Sequence, residues 1–284
     1  MKTSDSSIFS AACLLTLSSL MPIGAAVITF DSATDYSNNF NESGAAPAYV
    51  DAYSYSASTG IGGNSGRIDV VQGAAGDTTA SYKTSSYDLT TGTGYTTYVF
   101  FRTPSTFGAA SGGIPAMIGF SEADNQPFLT ALSQDWIAVA ILAGASNTNF
   151  TMQGRYANNG TQTSLAATTA FTLNVDTWYK LAATFTDKGV TVGFNYSATV
   201  EDYGSNGTSL VGSVMPLSGT DMNQTSLSSS DTTAYGAFRT NTNGQNKVVA
   251  LDNYFVIPEP SIFALLLGGL GTLVFNRRRV RLPG

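Results

Sequence analysis

Residues 178–196 constrain the fold more than any other stretch. In 178–185, Tyr179, Leu181, Ala183 and Phe185 fall on one face; in 190–196, Val190, Val192, Phe194 and Tyr196 do the same, with Thr191, Gly193 and Asn195 opposite. Side chains alternate across a strand but recur every three to four residues on a helix, so this pattern predicts two strands, each with one buried face. Thr186-Asp187-Lys188-Gly189 lies between them. Gly189 is suited to a left-handed turn position, which predicts an antiparallel hairpin. A hairpin with one apolar face needs a second layer to cover it.

Other short apolar runs supply that layer. Strands are predicted over 27–31, 67–71, 80–83, 95–102, 116–120, 136–142, 150–156, 234–239 and 248–256. Residues 32–66 and 202–232 are rich in Ser, Gly and Asn and read as irregular. No helix is predicted between residues 27 and 256, and no repeat of fixed period is present. Abundant turn and β-branched residues, with charged residues only 11 % of the chain, suit an all-β extracellular domain. About 230 residues are enough for one large sandwich core.

The two ends read as transport segments. Lys2 precedes a mostly apolar stretch, 8–23, and Gly24-Ala25-Ala26 offers small residues for signal peptidase, so 1–26 is predicted to be a signal peptide cut after Ala26. Cys13, the chain's one cysteine, leaves with it, so no disulfide can staple the domain. At the other end Val256-Ile257 leads into Pro258, Glu259 and Pro260, where prolines without N–H donors are expected to stop the strand and hold an accessible linker. An uncharged segment, 262–275, then precedes Arg277, Arg278 and Arg279, with Arg281 just beyond. It reads as a transmembrane helix with a cytoplasmic basic stop. At about 1.5 Å per residue, 261–276 spans roughly 24 Å, against a bilayer core of about 30 Å.

Motif, apolar helix and basic cluster, in that order over residues 257–284, resemble the PEP-CTERM sorting signal. The resemblance implies recognition of Pro258, Glu259, Pro260, Arg277, Arg278 and Arg279 by an exosortase. It also implies passage through the inner membrane of a Gram-negative bacterium, removal of the helix, and release to the cell surface or extracellular matrix.

The middle also resembles a family. Val175-Asp176-Thr177-Trp178-Tyr179-Lys180-Leu181, the hairpin, and Ala250-Leu251-Asp252-Asn253-Tyr254-Phe255-Val256 are similar to the concanavalin A-like, laminin-G-like jelly roll. That resemblance implies two antiparallel sheets packed face to face over residues 27–256.

Chemistry is constrained mainly by what is missing. The chain has no histidine and the mature domain no cysteine, which excludes Ser-His-Asp triads, thiolate catalysis and His- or Cys-based zinc sites. Setting aside Lys2, Asp5, Glu259 and the four C-terminal arginines leaves 8 basic and 17 acidic residues, net −9, so nucleic acid is not expected as a partner. Gly60-Ile61-Gly62-Gly63 reads as a turn, not a phosphate loop.

A glycosidase needs two carboxylates, and the domain has only Glu42, Glu122 and Glu201 besides its aspartates. Glu122-Ala123-Asp124 offers two alternating carboxylates, but Gln126 and Pro127 break the pattern, so it reads as a polar turn. No catalytic residue is assigned and the chain is not expected to be an enzyme. No cofactor is expected beyond a structural calcium, for which Asp124, Asn125, Asp252 and Asn253 are the oxygen donors weighed; Asp252 and Asn253 would face one ion only across a bulge, so Asp252 is expected to bind backbone amides instead.

Extracellular polysaccharide is the partner the composition leaves open. Tyr49, Tyr53 and Tyr55 are candidates for an aromatic platform, with a place in the core as the other reading. Trp136 and Trp178 are expected in the core, and Arg102, Arg155 and Arg239 are expected to pair with surface acids. The expected function is that of an exported, non-catalytic surface or matrix β-sandwich. A lectin-like carbohydrate-binding module is the alternative, and a glycan-cleaving enzyme a remote third.

Overall fold

The computed structural model describes residues 26–43, 53–57, 60–63, 66–70, 77–82, 85–91, 94–108, 112–124, 128, 133–144, 149–188, 193–225, 227, 233–241 and 247–259. In chain order its strands are β1 (Ala26–Ile28), β2 (Phe40–Ser43), β3 (Tyr53–Ser56), β4 (Arg67–Val70), β5 (Asp77–Tyr82), β6 (Tyr95–Arg102), β7 (Ile114–Ser121), β8 (Trp136–Ala143), β9 (Phe150–Asn158), β10 (Thr161–Ala167), β11 (Trp178–Asp187), β12 (Phe194–Asp202), β13 (Gly212–Met222), β14 (Tyr235–Asn241) and β15 (Ala250–Pro258). A short helix, α1 (Ala33–Asn39), follows β1. The first sheet runs β13-β12-β11-β6-β15-β4-β3, with β1 also paired to β15; the second runs β10-β9-β8-β7-β14-β5-β2. All the described pairs are antiparallel, and the two sheets form a jelly-roll sandwich of the concanavalin A-like type.

Alternation puts one face of each strand into the interlayer core. Tyr179, Leu181, Ala183 and Phe185 of β11 are buried there, as expected, beside Phe101, Phe120, Val139, Met152 and Phe238. Phe120 of the second sheet meets Phe185 of the first edge-on at 5.9 Å. Tyr196 fits because its ring lies over glycines: a Cβ at Gly154 or Gly219 would come within 2.6 Å or 2.4 Å of it.

The hairpin forms with different bounds from those predicted. Strand β12 begins at Phe194 and continues to Asp202, and the ladder runs from Asp187↔Phe194 to Tyr179↔Asp202. Phe194 and Tyr196 face the core as read, and the ladder closes with Lys188 N–H donating to the Gly193 carbonyl at 3.0 Å. Val190 and Val192 lie outside the described residues.

Three expectations of irregular or non-helical chain are corrected. Helix α1 forms because Ser32 and Asp35 cap it reciprocally: Asp35 N–H donates to Ser32 Oγ at 3.2 Å and Ser32 N–H to Asp35 Oδ2 at 3.0 Å. Within 32–66, β2 and β3 are strands, and within 202–232 so is β13. Strand β10, also unpredicted, is mostly exposed. Both β10 and β13 are edge strands, each paired to one neighbour, β9 and β12; β13 also packs Val214, Met215, Leu217 and Met222 against the interlayer core.

The C-terminal strand corrects another expectation. The strand does stop at the proline, as expected, but Pro258 is itself its last residue, buried and opposite Tyr95 rather than part of an accessible linker. Among the described residues the β1 register ends at Ala26↔Val256, two positions short of Pro258. Glu259 is also tied down. Its N–H donates to the Gly94 carbonyl at 2.6 Å, and its carboxylate accepts from the Thr96 hydroxyl. Pro260, the apolar segment 262–275 and Arg277, Arg278 and Arg279 lie outside the described residues, as does the proposed signal peptide up to residue 25. Among the described residues no helix is long and apolar enough to cross a membrane.

Candidate functional site

Both tryptophans are buried as expected, Trp136 at 0 % and Trp178 at 1 % exposure, yet neither lies between the sheets. Each alternates with a core neighbour, so each points out of its sheet. Trp136 packs with Phe128 on the outer face of the second sheet, and Trp178 with Phe100 and Ala250 on that of the first. An outward tryptophan is buried only if other chain covers it. Over Trp178 that cover is two glycine-bearing loops, and between them is a cleft.

The cleft has a volume of about 230 Å³ and is lined by Gly60, Gly62, Gly63, Arg102, Trp178, Ser205 and Asn206. Register places Trp178 beside Arg102, and Arg102 beside Ala250. Gly62 N–H donates to the Asn206 carbonyl at 2.8 Å, tying the two loops together. Gly62 and Gly63 both have φ of 75°, a backbone that residues with a Cβ rarely adopt, which is why this turn is glycine-rich. Gly207 must also be small, since a Cβ there would come within 3.1 Å of the Trp178 indole and 2.9 Å of Ile61.

Asp252 holds the first loop from below. It is 1 % exposed; its Oδ2 accepts from Ile61 N–H and its Oδ1 from Asn253 N–H, both at 2.8 Å. The expected role, binding backbone amides, is what the geometry shows. The bulge considered above is also present. Asp252 pairs with Phe100 and Tyr254 with Val99, leaving Asn253 as the extra residue at φ 45°. Among the described residues no group of three or more acidic side chains converges as a metal site would require; Asn125 lies outside them.

Burial pushes the Asp252 carboxyl up to about 6, against the opposing pull of its two N–H donors. Since the native carboxyl holds its proton more tightly than the unfolded one, its contribution to stability is complete below about pH 3.8 and is lost as pH rises to about 6. Asp252→Asn removes this dependence and keeps an amide oxygen for one of the N–H groups. In urea unfolding of both proteins from pH 3.5 to 7.5, the variant should gain about 3 kcal/mol on wild type across that range. Parallel curves would sink the assignment.

Arg102 supplies the cleft's charge. Its Nη2 lies 3.7 Å from Asp176 Oδ1, a long contact to an exposed carboxylate, and its buried Nε–H has no partner. The expected pairing with a surface acid is therefore loose. Arg155 donates Nε–H to Gln153 Oε1 at 3.0 Å, and Arg239 donates to the Phe128 carbonyl at 3.0 Å. Next to the cleft, Lys180 meets Glu201 at 2.6 Å and lies 5.3 Å and 5.5 Å from the Tyr98 and Tyr203 ring centroids. Burial acts to lower the Lys180 pKa, but Glu201 and then Tyr203 outweigh it and hold the amine above the usual lysine value. Burial, with Tyr203 adding to it, pushes Tyr98 up to about 12.

The remaining candidates lie elsewhere. Tyr53 is core, bonded to Thr240 at 2.9 Å, and Tyr55 donates to the Asp31 carbonyl at 3.1 Å; Tyr49 lies outside the described residues. Glu122 and Asp124 follow the end of β7, where Glu122 N–H donates to the Asp135 carbonyl and Asn41 donates to the Asp124 carbonyl, in keeping with a polar turn. Sequence alone does not single out Ser205, Asn206 and the Gly60–Gly63 wall as site residues; the usable signal is the glycine cluster in the connection between β3 and β4.

No protein-family model and no curated protein sequence matches the chain. Solved structures do. It is similar to lectin II from Ulex europaeus at 10 % identity, covering 83 % of this chain and 98 % of that one, with a TM-score of 0.53. The lectin UEA-II in complex with galactose gives 8 % identity, the same coverages and 0.51. The Emp47p carbohydrate recognition domain gives 13 % identity, 84 % and 98 % coverage, and 0.49. At these identities the likeness is one of fold.

Proposed function

We propose that this chain is an exported, non-catalytic surface or matrix protein whose sandwich binds a saccharide in the Trp178–Arg102 cleft. The cleft itself carries the reading. A pyranose presents an apolar C–H face and a ring of hydroxyls, and this pocket is lined by aromatic Trp178, cationic Arg102 and the polar residues Ser205 and Asn206. Among the described residues that line the cleft none is a carboxylate. The lectin-like fold, seen in one relative with galactose bound, supports the same reading.

The destination rests on sequence: signal peptide, Pro-Glu-Pro motif, apolar segment and arginines fit processing by signal peptidase and an exosortase. Intact mass of protein recovered from its host should show a start at Val27 and an end near residues 258–261.

Binding is tested by retention of the purified chain on a polysaccharide panel. Arg102→Ala and Asn206→Ala are expected to lose retention at least tenfold without lowering the unfolding midpoint, since both side chains lie at the cleft rather than in the interlayer core. Retention by no polysaccharide would refute the binding reading and leave a scaffold alone. Reducing-sugar release that vanishes in Glu122→Gln would refute the non-catalytic one.

A further inference from the structure

The cleft is the end of a longer surface. Strand register stacks the outward residues of the first sheet in four rows: Ala250–Arg102–Trp178, Asp252–Phe100–Lys180, Phe255–Tyr98–Ala182 and Ile257–Thr96–Thr184. Without the bulge at Asn253, Asp252 and Phe255, three residues apart, would point to opposite faces; with it both point outward, and Phe255 stacks on Tyr98 at 4.3 Å and 20°. Phe100 bridges the cleft to this pair, lying edge-on to Tyr203 at 4.9 Å and to Tyr98 at 6.0 Å. Tyr98, Phe255, Thr96, Thr184 and Tyr203 are all half-buried, while Trp178 and Phe100 are buried, so the partly exposed strip presents Tyr203, then the Tyr98–Phe255 pair, then a threonine pair. Rows about 7 Å apart give a strip of about 20 Å.

The geometry points to a neutral linear polysaccharide as the ligand, lying along β6 with one unit in the cleft and the following units on Tyr203 and the Tyr98–Phe255 pair. This rests on the saccharide reading of the cleft. A terminal-sugar ligand would use the cleft alone and leave the stacked pair two rows away without a purpose. Charge argues for neutrality: Lys180 is neutralised by Glu201 at 2.6 Å, and the domain's net charge of −9 repels an anionic chain. At the far end the Thr184 and Thr96 hydroxyls are bonded to each other at 2.5 Å and Thr96 donates on to the Glu259 carboxylate, which leaves acceptor oxygens for sugar hydroxyls.

Calorimetry on the intact chain with cello-, laminari-, manno- and xylo-oligosaccharides of one to six units tests this. At least one series should tighten about tenfold between two and four units and then level off. Tyr98→Ala and, separately, Phe255→Ala should abolish that gain while leaving the shortest ligand's affinity and the unfolding midpoint near wild type; two variants guard against one that misfolds. Affinity flat from the disaccharide upward would overturn the track and leave the cleft reading intact. Binding by none of the four series would overturn both.

Discussion

Trp178→Ala should abolish polysaccharide retention and destabilise the protein by about 3–5 kcal/mol. Trp178 is among the largest fully buried side chains, and it is both the floor of the cleft and the support on which the loops at Gly60–Gly63 and Ser205–Gly207 rest. Its backbone pairs with the second loop as well, donating to the Gly204 carbonyl and accepting from Tyr203 N–H, both at 2.9 Å. Truncation therefore removes the indole and the surface that positions Asn206. Urea unfolding and panel retention read the two effects separately. Trp178→Phe should recover more than half of the lost stability and part of the retention, because a ring still fills the floor. Alanine with wild-type retention would show that the saccharide sits elsewhere.

Gly193→Ala should be the most damaging single-methyl change, at about 3 kcal/mol or more. Gly193 has φ of 82°, where an L side chain costs roughly 1–2 kcal/mol, and a Cβ there would come within 1.9 Å of the Met222 carbonyl oxygen. That oxygen belongs to the neighbouring strand β13, so relief means moving backbone in a paired edge rather than turning a side chain. Gly212→Ala is the control: its Cβ meets nothing within 4 Å and its φ is not positive, so the unfolding midpoint should stay close to wild type. Equal midpoints for the two variants would refute the packing argument.

How much of this was legible depends on where the free energy comes from. Strands β6, β7, β8, β11, β14 and β15 pack one or both faces in apolar surroundings, so burial writes their presence into the chain as apolar runs or alternation. Strand β10, mostly exposed, is held by backbone hydrogen bonds to one neighbour, β9. Those bonds are nearly independent of side chain, so the polar stretch 161–167 carries no pattern. Helix α1 was legible in principle from Ser32 and Asp35, a capping pair three residues apart, but seven residues among serines and asparagines form no apolar stripe.

The candidate site was less legible than the fold. Trp178 was read as core from its place at the start of an apolar strand, and its burial agrees; that it faces away from the interlayer core follows only from knowing that Tyr179 faces in.

By itself the sequence determined the class of architecture and the exclusion of histidine chemistry. Each depends on local composition or period. Only the tertiary structure decided which residues meet. Gly62 and Asn206 are joined across 144 positions, and Asp252 reaches Ile61 across 191. The bulge at Asn253 turns Asp252 and Phe255 to one side, and the last strand carries Pro258 and Glu259 into the sheet instead of releasing them as a linker. Contacts of that sequence separation are set by strand order and register, and no local period in a chain encodes which of many similar strands will lie side by side.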